Sequence, residues 1–209
     1  MRKSFIISVL ITFLGAMLMC GCTDMGMARE LAGNWKTHYL TVYSNGEKDS
    51  ITEYLSFVYD DESIDDDDGA FTERLDCQTS EISEGDYMYT MHYESFVSGR
   101  YEVFGGELYL KYDLATLKVM IDDDDVKLKI KNLPAVLDML NEYVTTLEMP
   151  KHKLVEECKK DIYASLFKLY KNNSSDDVSF QDLRIEDEKM SYKNEDGTVK
   201  YTRCDNVKY

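Results

Sequence analysis

From Trp35 to Tyr43 the chain alternates residue by residue, and no other feature limits its fold as strongly. Trp35, Thr37, Tyr39, Thr41 and Tyr43 fall on one side, with Lys36, His38, Leu40 and Val42 on the other. Period two, rich in aromatic and β-branched residues, is the pattern of a β-strand. Ser44-Asn45-Gly46-Glu47 follows, and Asn-Gly favours a hairpin turn because a type I′ turn needs positive φ at both centres. A second strand is expected at about 50–59, further ones near 70–76 and 79–82, and a clearer one at 87–97. Tyr101 and Val103, then Gly105-Gly106, then Leu108, Leu110 and Tyr112 form the cleanest hairpin. Residues 117–121 and 126–130 read as a further pair parted by Asp122 to Asp125. A last hairpin, 178–186 with 188–193, leads through Asp196-Gly197 to a returning strand at 198–204.

The middle of the chain has a different period. Pro134 suits a helix N-terminus, where its missing N–H is not needed. Val136, Leu137, Leu140, Tyr143, Val144 and Leu147 follow at helical spacing, and Met149-Pro150 is expected to break that helix. A second helix is expected at about 151–171, with Leu154, Val155, Cys158, Ile162, Leu166 and Leu169 on its apolar face. The insertion spans about 133–172. Neither helix can bury its apolar face alone, so both should pack on the β structure or over its mouth.

Residues 1–21 have the parts of a secretory signal: Arg2 and Lys3, an apolar run from Phe5 to Met19, then Gly21 before Cys22. About 15 apolar residues suit a signal rather than a membrane span. The small residue before a Cys resembles the lipobox of bacterial lipoproteins. That resemblance implies cleavage after Gly21, lipidation of Cys22, and residues 22–30 as a tether to the domain at 31–209. Acyl chains at Cys22 would anchor the protein to a membrane.

Removing residues 1–21 leaves 188 of 209 residues, a size for one domain. The precursor charge is −16; the signal takes away Arg2 and Lys3 and no acid, leaving −18. Such acidity excludes nucleic acid as a partner, because phosphate contacts need clustered Lys and Arg. After Cys22 come Cys77, Cys158 and Cys204. One disulfide could join two of them in an oxidising compartment, or none could form, and spacing does not choose.

With a lipobox Cys, a short tether and Gly33-Asn34-Trp35 at the first strand, the chain resembles the lipocalin-like lipoproteins of Gram-negative bacteria. The run from Gly99 to Leu110 is similar to that family's Gly-x-Tyr-x-Val element. The likeness covers about 31–130 and, weakly, 178–208. The resemblance implies a mainly β fold, an antiparallel lipocalin-like β-barrel; the two-helix insertion before the last strands, read from spacing, departs from it, since a lipocalin carries its helix after them. It further implies that Trp35 packs at the closed base of the barrel. The implied location is the cell envelope, at the outer membrane, facing the periplasm or the exterior.

Candidate chemistry is sparse. Asp65–Asp68 and Asp122–Asp125 offer carboxylates, but an EF-hand with Gly69 at position six would need Leu75 as its last ligand, so the pattern fails. The runs read instead as solvated turns that discourage edge pairing. His38, His92 and His152 have no partner at a recognised ligand spacing, and no zinc site, cofactor loop or nucleophile elbow is present. No metal, cofactor or catalytic residue is therefore expected, and the chain does not read as an enzyme. Sixteen Tyr and eight Phe exceed what a core of this size needs. Tyr39, Phe57, Tyr89, Tyr93, Tyr101 and Tyr109 are the candidates to line a barrel cavity for a small apolar or amphipathic ligand. Rings on these strands could equally fill the barrel. The protein would then be an interaction module for envelope proteins or glycans.

Overall fold

The computed structural model describes residues 24–43, 48–61, 68–84, 87–130, 142–174 and 179–205. The expected signal, Cys22, the Asn45-Gly46 turn, most of the first acidic run and the start of the insertion lie outside them.

Ten strands follow in chain order: β1 (Gly33–Val42), β2 (Lys48–Tyr59), β3 (Asp68–Gln78), β4 (Ile82–Glu84), β5 (Tyr87–Phe104), β6 (Glu107–Met120), β7 (Val126–Ile130), β8 (Gln181–Glu186), β9 (Lys189–Asn194) and β10 (Gly197–Arg203). Residues 24–31 form helix α1, and Glu142–Asn173 form helix α2. Every strand pairing is antiparallel. The main path runs β5-β3-β2-β1-β10-β9-β8, with β6 on the other side of β5. The fold is mainly β, a lipocalin-like sheet curled into a half-barrel with a helical insertion before the last strands.

The two free sides of the curl approach each other at β6 and β8. Leu108 and Phe180 exchange backbone bonds of 3.0 and 2.8 Å, and Leu183 N–H donates to the Gly106 carbonyl at 3.0 Å. Further along, α2 lies against β6 and covers the seam. Among the side chains described from Lys151 onward, Val155, Leu166 and Tyr170 are buried, while Leu169, expected on the apolar face, is exposed. The break expected at Met149-Pro150 is absent: α2 runs through Pro150 as one helix. A proline removes one backbone bond, but burial along the rest of a 32-residue helix outweighs that loss.

Two further expectations change. Residues 117–120 continue β6, and β7 pairs with β5 from Tyr87 to Met91 rather than with residues 117–121. The cause is the length of β5: its first half extends past the barrel and carries β4 and β7 on opposite edges. The strand expected at 79–82 starts only at Ile82, because Thr79 binds Met91 through both its backbone and its hydroxyl. A second apolar cluster, Tyr89, Met91, Ile121, Val126 and Val155, forms under α2.

The segment expected to be a tether is structured over 24–31. Ala28 and Leu31 are fully buried against the barrel base. The Asp24 carboxylate accepts from Gly105 N–H at 2.9 Å and Gly106 N–H at 3.2 Å, fixing the helix to the β5–β6 turn. Trp35 is fully buried there and its indole N–H donates to the Leu31 carbonyl at 2.7 Å. Arg203 closes the base: its guanidinium lies 4.3 Å over the Trp35 ring and donates to the carbonyls of Ala32 and Glu30, each at 2.9 Å. Those carbonyls are the unsatisfied groups at a helix C-terminus, where a cation is favoured. Gly33 takes φ +127°, and a Cβ there would come within 2.5 Å of the Arg203 guanidinium.

Candidate binding site

Inward positions along β2 and β3 are mostly apolar: Ile51, Leu55 and Phe57, then Phe71, Leu75 and Cys77. Glu53 and Glu73 share that parity and so point into the barrel. The interior is consequently layered. Near the base, Trp35, Leu55, Phe57, Phe71, Val97, Tyr101 and Leu108 form one buried apolar cluster. Tyr101 meets Phe57 edge-on, with ring centres 5.1 Å apart, and its hydroxyl donates to the Ala28 carbonyl at 3.3 Å. Above them Tyr112 packs on Phe71 at 5.0 Å and on Tyr170 of α2 at 4.5 Å.

The next layer is polar. Tyr112 and Tyr170 donate to the two oxygens of Glu73, at 2.9 and 2.6 Å. Tyr201 donates to Glu53 Oε1 at 2.8 Å and is 2.7 Å from the Tyr192 hydroxyl. The second oxygen of Glu53 has no protein partner among the described residues, and neither acid is paired with a Lys, Arg or His. Burial, then repulsion from Glu73, raises the Glu53 pKa to about 8 against the opposing Tyr201 bond. Burial also raises Glu73, opposed by its two tyrosine bonds. Beyond this layer lie Tyr39, Tyr93 and Cys77, whose thiol burial pushes up to about 11.

This layer opens to solvent through the wall. β1 pairs with β2 along its whole length but with β10 only at Trp35–Arg203 and Lys36–Thr202. Past Lys36 the two strands part, leaving a slot of about 530 Å³ bounded by Thr37, Tyr39, Glu53, Tyr192, Val199 and Tyr201, with His38, Lys200 and the Asn194–Thr198 turn at its rim. Glu53 lies at its inner end. A wider recess of about 920 Å³ outside the base, beside Gly33, Glu188 and Arg203, has neither an aromatic lining nor a buried acid.

Of the six expected lining residues, Tyr39 borders the slot, while Tyr93 lies beside Cys77 and packs against the cluster under α2. Phe57 and Tyr101 belong to the base: Phe57 pairs with Gly33, two residues before Trp35, and both are buried in the cluster that holds Trp35. Tyr89 lies in the cluster under α2, on the part of β5 that extends past the barrel. Tyr109 points outward, since Leu108 and Leu110 take the inward parity, and its hydroxyl donates to Glu107 at 3.0 Å. Glu53, Glu73, Tyr112, Tyr170, Tyr192 and Tyr201 were not anticipated. A charged residue at the inward parity of an otherwise apolar strand was the available signal for the two acids.

The outer face holds a second polar group. The His92 ring lies 2.8 Å from Asp76 and 3.4 Å from Asp125, and Asp123 is 3.4 Å from His152. The second acidic run is thus more than a solvated turn. Burial disfavours the charged form of His92, but its bonds to Asp76 and Asp125 outweigh this and raise its pKa. Asp76, His92 and Glu94 could offer three ligand atoms to a cation. Arg74 already neutralises that corner, 2.5 Å from Glu94 and 3.8 Å from Asp76. Among the described residues Cys77, Cys158 and Cys204 form no disulfide.

The sequence matches no known protein family and no curated protein.

Proposed function

We propose that the chain is an envelope lipoprotein without catalytic activity that binds a small amphipathic molecule in the slot between β1 and β10. The observation that carries this reading is the cavity itself. Its volume lies in the range of small-molecule sites, and it joins aromatic walls to a few convergent polar groups. The lipobox resemblance at Cys22 supports the anchor, and no described helix is long and apolar enough to cross a membrane. Native mass spectrometry of the mature chain, purified gently from its host, tests the binding. A reproducible extra mass that leaves on denaturation is expected, and a bare mass at every preparation counts against it.

A second reading, an interaction module for envelope proteins or glycans, is favoured by one observation. Tyr163 and Phe167 stack on the outer face of α2 with ring centres 6.1 Å apart, both exposed. Under that reading Tyr163→Ala with Phe167→Ala would abolish retention on cell-wall glycan or envelope extracts, and Tyr39→Leu would not.

A further inference from the structure

We infer that the slot is a receptor for an organic ammonium ion, a primary or secondary amine on a small apolar body, with its nitrogen at the free oxygen of Glu53. The inference rests on the binding reading above and names the ligand class for the same slot.

Three features point to a cation. First, one oxygen of Glu53 is held by Tyr201, the other has no protein donor among the described residues, and Glu53 lines the cavity. A carboxylate held this way accepts an N–H from a charged donor better than from a neutral one. Second, the adjacent acid, Glu73, has both oxygens occupied by Tyr112 and Tyr170. No Lys, Arg or His neutralises it among the described residues, so any charge the two acids carry adds together and disfavours an anion. Third, Tyr39, Tyr192 and Tyr201 border the same space, and aromatic faces attract cations. The lining cation Lys200 sits at the outward parity, between the inward Val199 and Tyr201. A bare metal ion would find one free carboxylate oxygen where hard cations take six to eight oxygens.

The groups facing Glu53 are Glu73 from β3, Tyr39 from β1, Tyr192 from β9, Tyr201 from β10, Tyr112 from β6 and Tyr170 from α2. None of them is a Lys, Arg or His; His38, Lys200 and Asp196 stand at the rim of the slot. Binding an ammonium therefore requires Glu53 to give up its proton to solvent, and affinity should rise with pH while the amine stays charged.

Titration calorimetry of the mature chain with three isosteres, 2-phenylethylamine, 2-phenylethanol and phenylacetate, tests this. The amine should bind at least about tenfold more tightly than the alcohol, and phenylacetate should not bind. Amine affinity should rise by up to about tenfold per pH unit between pH 6 and 8, with proton release. Glu53→Gln should erase the preference for amine over alcohol. If that variant does not fold, Tyr39→Leu, which keeps the acid, should weaken the amine several-fold more than the alcohol. Equal binding of amine and alcohol would overturn the ammonium assignment and leave the binding slot standing. Preferred binding of phenylacetate would do the same. No heat from any of the three at millimolar concentration would overturn both.

Discussion

The base and the slot of this barrel use tyrosine for opposite purposes. At the base, Tyr101 packs its ring among Phe57 and its neighbours and donates its hydroxyl to a backbone carbonyl of α1. The indole of Trp35 does the same with Leu31. Each polar atom there is satisfied by main chain, and the ring carries the burial. In the upper layer the hydroxyls of Tyr112, Tyr170 and Tyr201 instead bind the carboxyl groups of buried Glu73 and half-buried Glu53. The first arrangement adds stability from apolar area. The second keeps charge-bearing groups inside at a cost, and such groups persist mainly where something other than stability requires them.

If that contrast is right, substitutions at the base should act on folding. Trp35→Ala removes the largest buried side chain and the surface on which Arg203 lies. The expected loss is about 3–5 kcal/mol by urea denaturation. An effect below about 1 kcal/mol would mean the base is not what holds the barrel shut.

The acid layer should make stability depend on pH. Glu53 has a folded pKa of about 8, above its ordinary value, and Glu73 shifts the same way. The folded state therefore binds more protons than the unfolded one between about pH 4.5 and pH 8, and stability falls as pH rises through that window. With solvent reaching Glu53 through the slot, the fall is on the order of 2 kcal/mol. Glu53→Gln should flatten the curve; an unchanged slope would remove Glu53 from the account.

Tyr170→Phe takes one donor from Glu73 and should cost about 1–3 kcal/mol, with the loss growing at higher pH, where the carboxylate is charged. Smallest is Tyr39→Leu: this side chain is 39% exposed, and its loss should change stability by no more than about 0.5 kcal/mol while impairing ligand binding. Outside this comparison, Cys22→Ala should abolish incorporation of labelled fatty acid.

The strands were legible because alternation is a local signal: the expected positions of β1, β2, β3 and the last hairpins agree with the pairing that forms. The partners of β5 were not, because one long strand that pairs with β3 and β6 over one part and with β4 and β7 over another leaves no mark beyond its length. Nor was the passage of α2 through Pro150, which depends on tertiary packing against β6. At the candidate site, Tyr39 could be picked from its strand, but the slot could not. It exists because β1 and β10, distant in sequence, pair at two positions and then part. His92 shows the same limit: its partners Asp76 and Asp125 come from β3 and from the turn before β7, separated from it by 16 and 33 residues.

The clasp between Asp24 and the glycine amides of the β5–β6 turn has a consequence for posture. Only Thr23 lies between Cys22 and Asp24, a reach of at most about 7 Å. An acyl anchor at Cys22 would leave the domain almost no leash. It would stand on its closed base against the bilayer, unable to swing, with the slot lifted towards the surrounding fluid. A visiting solute could then arrive from that fluid without crossing lipid.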